Sequence, residues 1–293
     1  MKTHALGEVK EIRLDTEGWV NPCFFVNDQY VFRFNARDPH LPKYNREKII
    51  FDLLNNSKVP VPQKVILDTS KREIEYDVLI SKMLKGENLE SKWNNLEDSL
   101  KTTLATKAGS ILKKLHSIHF EFFGEIPNKG PLPQTSSWSN YLKAKLQFHL
   151  DEALELGLIG SDIESKFNDV LSTNTHLLDQ VKVASLIHVD FHFGNLLFSN
   201  DEITGVVDFE WALAGDPLYD LARWRTGDED YPGSQEAFFK GYGLQDFTQD
   251  EKQRMKIYQM IKNLELCSVA KLHFTEKESE DFLKTTLDQL SSF

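Results

Sequence analysis

The stretch His188-Val189-Asp190-Phe191-His192-Phe193-Gly194-Asn195, followed by Val206-Val207-Asp208-Phe209-Glu210, decides the reading of this chain. An Asp is followed by an Asn five residues on and by a second Asp eighteen residues after the first, with short apolar runs between. That residue set suits phosphoryl transfer. One carboxylate meets the hydroxyl that attacks, while an amide oxygen and a second carboxylate hold magnesium on the nucleotide phosphates. Asn200-Asp201 supplies a turn between Leu196–Phe198 and Ile203–Val207, so a hairpin brings Asn195 and Asp208 to one end of one ladder. Mg²⁺ takes hard oxygen ligands and keeps several waters, so two protein ligands plus phosphate oxygens suffice. Each residue alone has a plainer explanation as a turn or strand-end cap. The spacing of all three favours the chemistry.

Around these residues the chain resembles the aminoglycoside phosphotransferase family of small-molecule kinases, which have a protein-kinase-like fold. The resemblance runs from the Gly18 region to about Trp224. It is most specific over Leu186 to Arg225, which includes Gly215-Asp216-Pro217-Leu218-Tyr219-Asp220-Leu221-Ala222. It implies a two-lobed α+β fold. A small antiparallel-sheet lobe, residues 1–84, would bind nucleotide. A large, mainly helical lobe, residues 85–293, would carry the catalytic loop and the acceptor site.

The resemblance also implies roles. Asp190 would orient the acceptor hydroxyl and take its proton; Asn195 and Asp208 would ligate Mg²⁺. Arg33, in the alternating run Tyr30-Val31-Phe32-Arg33-Phe34, would contact the nucleotide phosphates and pair with Glu47 on the next helix. An arginine stands here where many relatives have lysine, and the two differ in geometry. Arg46 and Lys48 blur the helix register, and a surface salt bridge is the plainer alternative. Gly18 stands where a turn would cover the phosphates, but Glu17-Gly18-Trp19-Val20-Asn21 has a single glycine and is no phosphate-binding loop by itself. Met83 lies in the Ser81–Leu84 linker, whose backbone would read the base of ATP or GTP. Glu210 replaces the glycine that follows the equivalent Asp-Phe in protein kinases and suits a structural or a distant metal-side role. Asp216-Pro217 reads as a helix start, and Asp216 and Asp220 as supports of the catalytic loop.

The rest of the chain agrees with a two-lobed enzyme. Of 293 residues, 40% are hydrophobic and 27% charged, enough for a sizeable core. No apolar run approaches the ~18 residues of a membrane span. Cys23 and Cys267 have no metal-like spacing and read as reduced thiols of a cytoplasmic protein. The first ~85 residues read as about five strands and one helix over Tyr44–Asn56, stopped by Val59-Pro60-Val61-Pro62. Helices are expected over Leu96–His119, Trp138–Leu156, Asp162–Val181, Thr248–Phe274 and Glu276–Leu290.

The formal charge of −11 argues against a nucleic-acid partner and suits a cationic acceptor or plain solubility. The resemblance makes an aminoglycoside the leading acceptor class; the acidic run Asp228-Glu229-Asp230 could face such a cation, although a solvated loop is the plainer reading. A metabolic kinase of the same fold, acting on choline, homoserine, a thio-sugar or a sugar amine, is the nearest rival. An idle nucleotide-binding protein is a rival of another class, disfavoured by the intact Asp190, Asn195 and Asp208. The string His188-x-Asp190-x-His192 raises a metal-hydrolase reading, but no second compact ligand motif accompanies it. His188 is expected to be structural.

Overall fold

Asn27 and Asp28 both adopt left-handed backbone, at φ 57° and 49°. They turn the chain between two strands of the first sheet. Its members are β1 (Ile12–Leu14), β2 (Cys23–Val26), β3 (Tyr30–Phe34), β4 (Ile66–Asp68) and β5 (Val78–Lys82), in the antiparallel order β1-β2-β3-β5-β4. Helix α1 (Lys43–Leu54) follows β3 and buries Ile50, Phe51 and Leu54. The protein is seen here as a computed structural model that describes residues 4, 6–15, 21–127, 130–226 and 231–293.

Beyond β5 the chain is mainly helical. Strand β6 (Glu87–Asn88) leads into α2 (Leu89–Lys92) and then α3 (Asp98–His116). Short strands β7 (His119–Phe120) and β8 (Gly124–Glu125) precede α4 (Trp138–Glu155), α5 (Ser161–Thr173) and α6 (Thr175–Leu178). The region of the opening motif holds β9 (Ala184–Ile187), β10 (Leu196–Ser199), β11 (Glu202–Val206) and β12 (Leu213–Gly215). Helices α7 (Leu218–Thr226), α8 (Gln235–Tyr242), α9 (Gln249–His273) and α10 (Glu276–Leu290) complete the chain. This is the α+β architecture expected, with a small antiparallel sheet and a large helical part. Among the described residues no helix is long and apolar enough to cross a membrane.

Two small sheets position the motif. Strands β10 and β11 form the expected hairpin, and β6 adds to its edge. A four-stranded sheet, β7-β9-β12-β8, pairs Ile187 with Leu213. The segments entering His188 and leaving Glu210 therefore start from adjacent strands. Two expected helices are shorter. The Asp162–Val181 segment breaks at Asn174, whose side-chain amide donates to the Val170 carbonyl at 2.8 Å while its own backbone leaves helical geometry. The Leu96–His119 segment ends at His116, because His119 and Phe120 pair with β9.

Helices α3 and α8 cross at glycine. A Cβ on Gly109 would lie 2.0 Å from the Phe238 carbonyl oxygen, and one on Gly241 would lie 1.9 Å from the Thr106 carbonyl oxygen. Both obstacles are backbone, so neither yields to a rotamer change. The crossing sets the height of His116, which reaches the site described below. Replacing a helical glycine by alanine favours the helix by about 1 kcal/mol from propensity alone. Backbone overpacking costs about 1–3 kcal/mol or more. Gly241→Ala is therefore expected to lower the urea unfolding midpoint, in the sense opposite to its helix propensity.

Candidate active site

The candidate catalytic loop begins with backbone that needs holding. Val189 is β-branched and sits at φ 73°, a left-handed conformation that such side chains rarely adopt. Asp220 on α7 supplies the restraint. One carboxylate oxygen accepts the His188 N–H at 2.8 Å and the other accepts the Val189 N–H at 2.7 Å. The Asp220 side chain is fully buried and also meets His116 Nε2 at 3.0 Å. Asp216 acts one step removed. It caps α7 by accepting the Leu218 N–H at 3.1 Å, and its other oxygen accepts from the Tyr258 hydroxyl at 2.7 Å and from Arg254 at 3.1 Å.

His188 is structural, as expected. It is fully buried, which favours its neutral form and lowers its pKa. Its Nε2 donates to the Val207 carbonyl at 3.1 Å, and its ring packs 4.5 Å from that of Phe209. It therefore ties the two halves of the motif together. Among the described residues no three His, Cys, Asp or Glu side chains converge as a metal site.

Phe191 and Phe193 anchor the loop in the core. The Trp224 indole N–H donates to the Phe191 carbonyl at 3.0 Å, and Phe193 packs 4.4 Å from both Trp93 and Tyr231. The Asn195 amide donates from Nδ2 to the Asp190 carbonyl at 2.9 Å, and the same nitrogen lies 3.3 Å from the Asp190 carboxylate. The backbone carbonyl of Asn195 accepts the Val207 N–H at 3.1 Å, which extends the β10–β11 ladder. Asp208 is the next residue, also left-handed at φ 67°. The structure thus gathers Asp190, Asn195 and the Asp208 segment in one place.

Arg33 and Glu47 also meet there. Arg33 Nη1 donates to both Glu47 oxygens at 2.7 Å, and Nη2 donates to Asp208 at 3.2 Å. Glu47 is fully buried and accepts the Phe209 N–H at 3.3 Å. Burial pushes its carboxyl up, against the pull of Arg33. Arg46 points elsewhere, to Glu125 at 2.9 Å, the Glu210 carbonyl at 2.7 Å and the Ile126 carbonyl at 3.2 Å. The Glu210 carboxylate lies 3.4 Å from Lys43 Nζ, and burial pushes it up to about 7. The Met83 N–H continues the first sheet by donating to the Gln29 carbonyl at 2.8 Å. Gly18 and the Asp228-Glu229-Asp230 run lie outside the described residues.

Four residues went unassigned from the sequence, or ambiguous in it. Arg223 Nη1 donates to Asp190 Oδ1 at 2.8 Å. His192 stands between two carboxylates, with Nε2 3.5 Å from Asp190 and Nδ1 3.8 Å from Glu90. The Tyr231 hydroxyl donates to Glu90. Burial favours a neutral His192 ring, but the hydrogen bonds to Asp190 and Glu90 outweigh it and raise its pKa. Those from His192 and Tyr231 hold the Glu90 carboxyl down at about 2. Burial opposes ionisation of Asp190 as well. The hydrogen bond from His192 and the charges of His192, Arg223 and Lys262 prevail, so its carboxyl sits well below the usual range. One signal for Arg223 was present in the sequence. It follows Asp220 by three residues, so a single helix face offers both side chains to the loop.

The sequence model of the phosphotransferase enzyme family matches residues 11–258. The chain is 25% identical over 234 residues to acyl-CoA dehydrogenase family member 10 of Mus musculus, covering 75% of this chain and 20% of that protein. It is 28% identical over 151 residues to homoserine kinase of Neisseria meningitidis serogroup B, covering 49% of this chain and 45% of that protein. The chain thus matches less than half the length of either relative. A solved structure of a thermostable mutant of aminoglycoside phosphotransferase APH(4)-Ia, in ternary complex with AMP-PNP and hygromycin B, superposes with a TM-score of 0.73. That match is 16% identical and covers 99% of this chain and 97% of the other. At that identity the likeness is one of fold.

The His192 environment predicts a measurable pH effect. Its folded pKa is raised above the unfolded value of ~6.5, so its stabilisation is full below that pH and is lost as pH rises through the folded pKa. Glu90→Gln removes one of the two carboxylates. The His192 pKa, followed by NMR titration, is expected to fall, and the loss of stability with rising pH should shift to lower pH.

Proposed function

The chain belongs to the phosphotransferase enzyme family, and from that premise we propose that it transfers the γ-phosphoryl group of ATP or GTP, bound with Mg²⁺, to a hydroxyl of a small molecule. The observation that carries this reading is the continuous set of contacts running Glu47–Arg33–Asp208 and Val207–Asn195–Asp190. It unites the first sheet, helix α1 and both halves of the motif.

Asp190 is the residue that orients the acceptor hydroxyl and receives its proton. Its depressed pKa keeps it ionised and ready to accept that hydrogen bond at neutral pH. Asn195 turns its amide nitrogen inward to the Asp190 carbonyl, so its oxygen is the end that a cation meets. Asn195 and Asp208 together offer an amide oxygen and a carboxylate, the hard donors that Mg²⁺ takes. The bound ion would neutralise charge on the phosphates during transfer. Arg33, oriented by Glu47, adds a fixed positive charge beside Asp208. Gly18 as a phosphate cover and Met83 as a reader of the base remain part of the proposal.

Two acceptor classes have support. The fold neighbour with bound hygromycin B supports an aminoglycoside. The relative named homoserine kinase supports a metabolic alcohol. The guanidinium in contact with Asp190 favours the second, because a polycation would meet Arg223 there.

Asp190→Ala is expected to lower turnover by ~10²–10⁴-fold, the usual contribution of a positioned general base. Nucleotide affinity should stay near that of the parent, and turnover within tenfold of the parent would remove Asp190 from the role. Asp208→Asn keeps the side-chain shape but removes the charge. Titration calorimetry with and without Mg²⁺ should then show weaker Mg²⁺-nucleotide binding and a reduced metal dependence.

A further inference from the structure

The charge next to the proposed catalytic carboxylate has the sign opposite to that of the whole chain. Arg223 Nη1 lies 2.8 Å from Asp190 Oδ1, and the Arg223 side chain is 44% exposed. Lys262 on α9 is near enough for its charge to act on Asp190 as well. His192 closes the other side at 3.5 Å. Among the described residues, Glu90 is engaged with His192 and Tyr231, Glu265 with Lys145 and Lys262, and Asp216 with Arg254 and Tyr258.

This arrangement poses a problem for a simple alcohol. In the structure Arg223 holds Asp190 Oδ1 at 2.8 Å, while Oδ2 faces Asn195 Nδ2 at 3.3 Å and His192 Nε2 at 3.5 Å, so an attacking hydroxyl must compete for either oxygen. A neutral or cationic acceptor gives Arg223 no reason to leave. An acceptor that carries its own anion does, because a guanidinium exchanges one carboxylate for another, or for a phosphate, at little cost in hydrogen bonding. The exchange would release Asp190 Oδ1 to the hydroxyl and place the acceptor by a charge-assisted bond.

We propose that Arg223 is the acceptor anchor, and that the acceptor is a small alcohol bearing a carboxylate or phosphate group within reach of Asp190. This rests on the phosphotransferase reading of Asp190. The anion is recognised in the same way whether it is a carboxylate or a phosphate monoester, so both belong in the test.

The experiment follows nucleotide consumption by the full chain with Mg²⁺ and matched alcohols. The pairs are 4-hydroxybutyrate against butane-1,4-diol and glycerol 3-phosphate against glycerol, with kanamycin as the polycation. The parent should favour at least one anionic member over its neutral partner by about 10- to 100-fold in kcat/KM, the worth of one charge-assisted hydrogen bond. Which pair shows the preference identifies the anion. In Arg223→Gln that preference should collapse, mainly through the acceptor KM, and Arg223→Lys should restore part of it. Comparing two acceptors within one variant cancels any general effect of the substitution on Asp190 or on folding. Equal or better turnover of the neutral alcohols or kanamycin, no consumption of either anionic alcohol, or an unchanged preference in Arg223→Gln would overturn the proposal. Failure of the parent to bind Mg²⁺-nucleotide would instead overturn the phosphotransferase reading beneath it.

Discussion

The site depends on one buried carboxylate. Asp220 accepts two consecutive backbone N–H groups, those of His188 and Val189, and Val189 stands in a conformation that costs ~1–3 kcal/mol. Hydrogen bonds to a charged acceptor are worth ~1.5–3 kcal/mol each, so two of them offset the strain with a surplus. The strained turn aims Asp190 out of β9 while Phe191 drops back into the core. Asp220 is itself fixed by His116, the last residue of α3. That explains why a helix crossing at Gly109 and Gly241, remote from the chemistry, bears on the geometry of the loop.

A second constraint joins the first sheet to the helical part. Arg33 comes from β3, Glu47 and Arg46 from α1, and Asp208, Phe209 and Glu210 from the segment after β11. Glu47 is buried, and a buried charge is tolerable only when paired. Its partner Arg33 has a further hydrogen bond to give, from Nη2, and gives it to Asp208. A cation that takes Asp208 would leave the Arg33–Glu47 pair whole, so the site can exchange partners at Asp208 without exposing a buried unpaired charge. Arg46 contributes to the same union through the Glu210 carbonyl, which backbone geometry fixes independently of the Glu210 side chain.

Much of this was legible in the sequence because it is local. The β10–β11 hairpin is announced by Asn200-Asp201, the β2–β3 hairpin by Asn27-Asp28, and the start of α7 by Asp216-Pro217. Strands β7, β8 and β12 were not legible, because runs of two or three residues carry no periodicity and exist only through pairing with β9 and one another. The break at Asn174 was missed because apolar spacing continues through it while a side-chain hydrogen bond ends the helix. Arg46, which only blurred the helix register in the sequence, is buried, and its partners Glu125, Ile126 and Glu210 lie far along the chain. Arg223 shows the same limit at the site. Its place on a helix face with Asp220 could be read, but its contact with Asp190 depends on how α7 docks against the loop.

Net charge was the least informative guide. The total of −11 describes a surface, and beyond a Debye length of ~8 Å at physiological salt its parts act almost independently. The described cationic side chain in direct contact with Asp190 is that of Arg223. A guanidinium 2.8 Å from the proposed catalytic carboxylate outweighs many screened acids at the surface. Overall acidity is compatible with a cationic acceptor, whereas the proposed role of Arg223 calls for an anionic one. Where the two disagree, the charge in contact with the reacting atoms decides, because recognition and transfer both occur inside the screening distance.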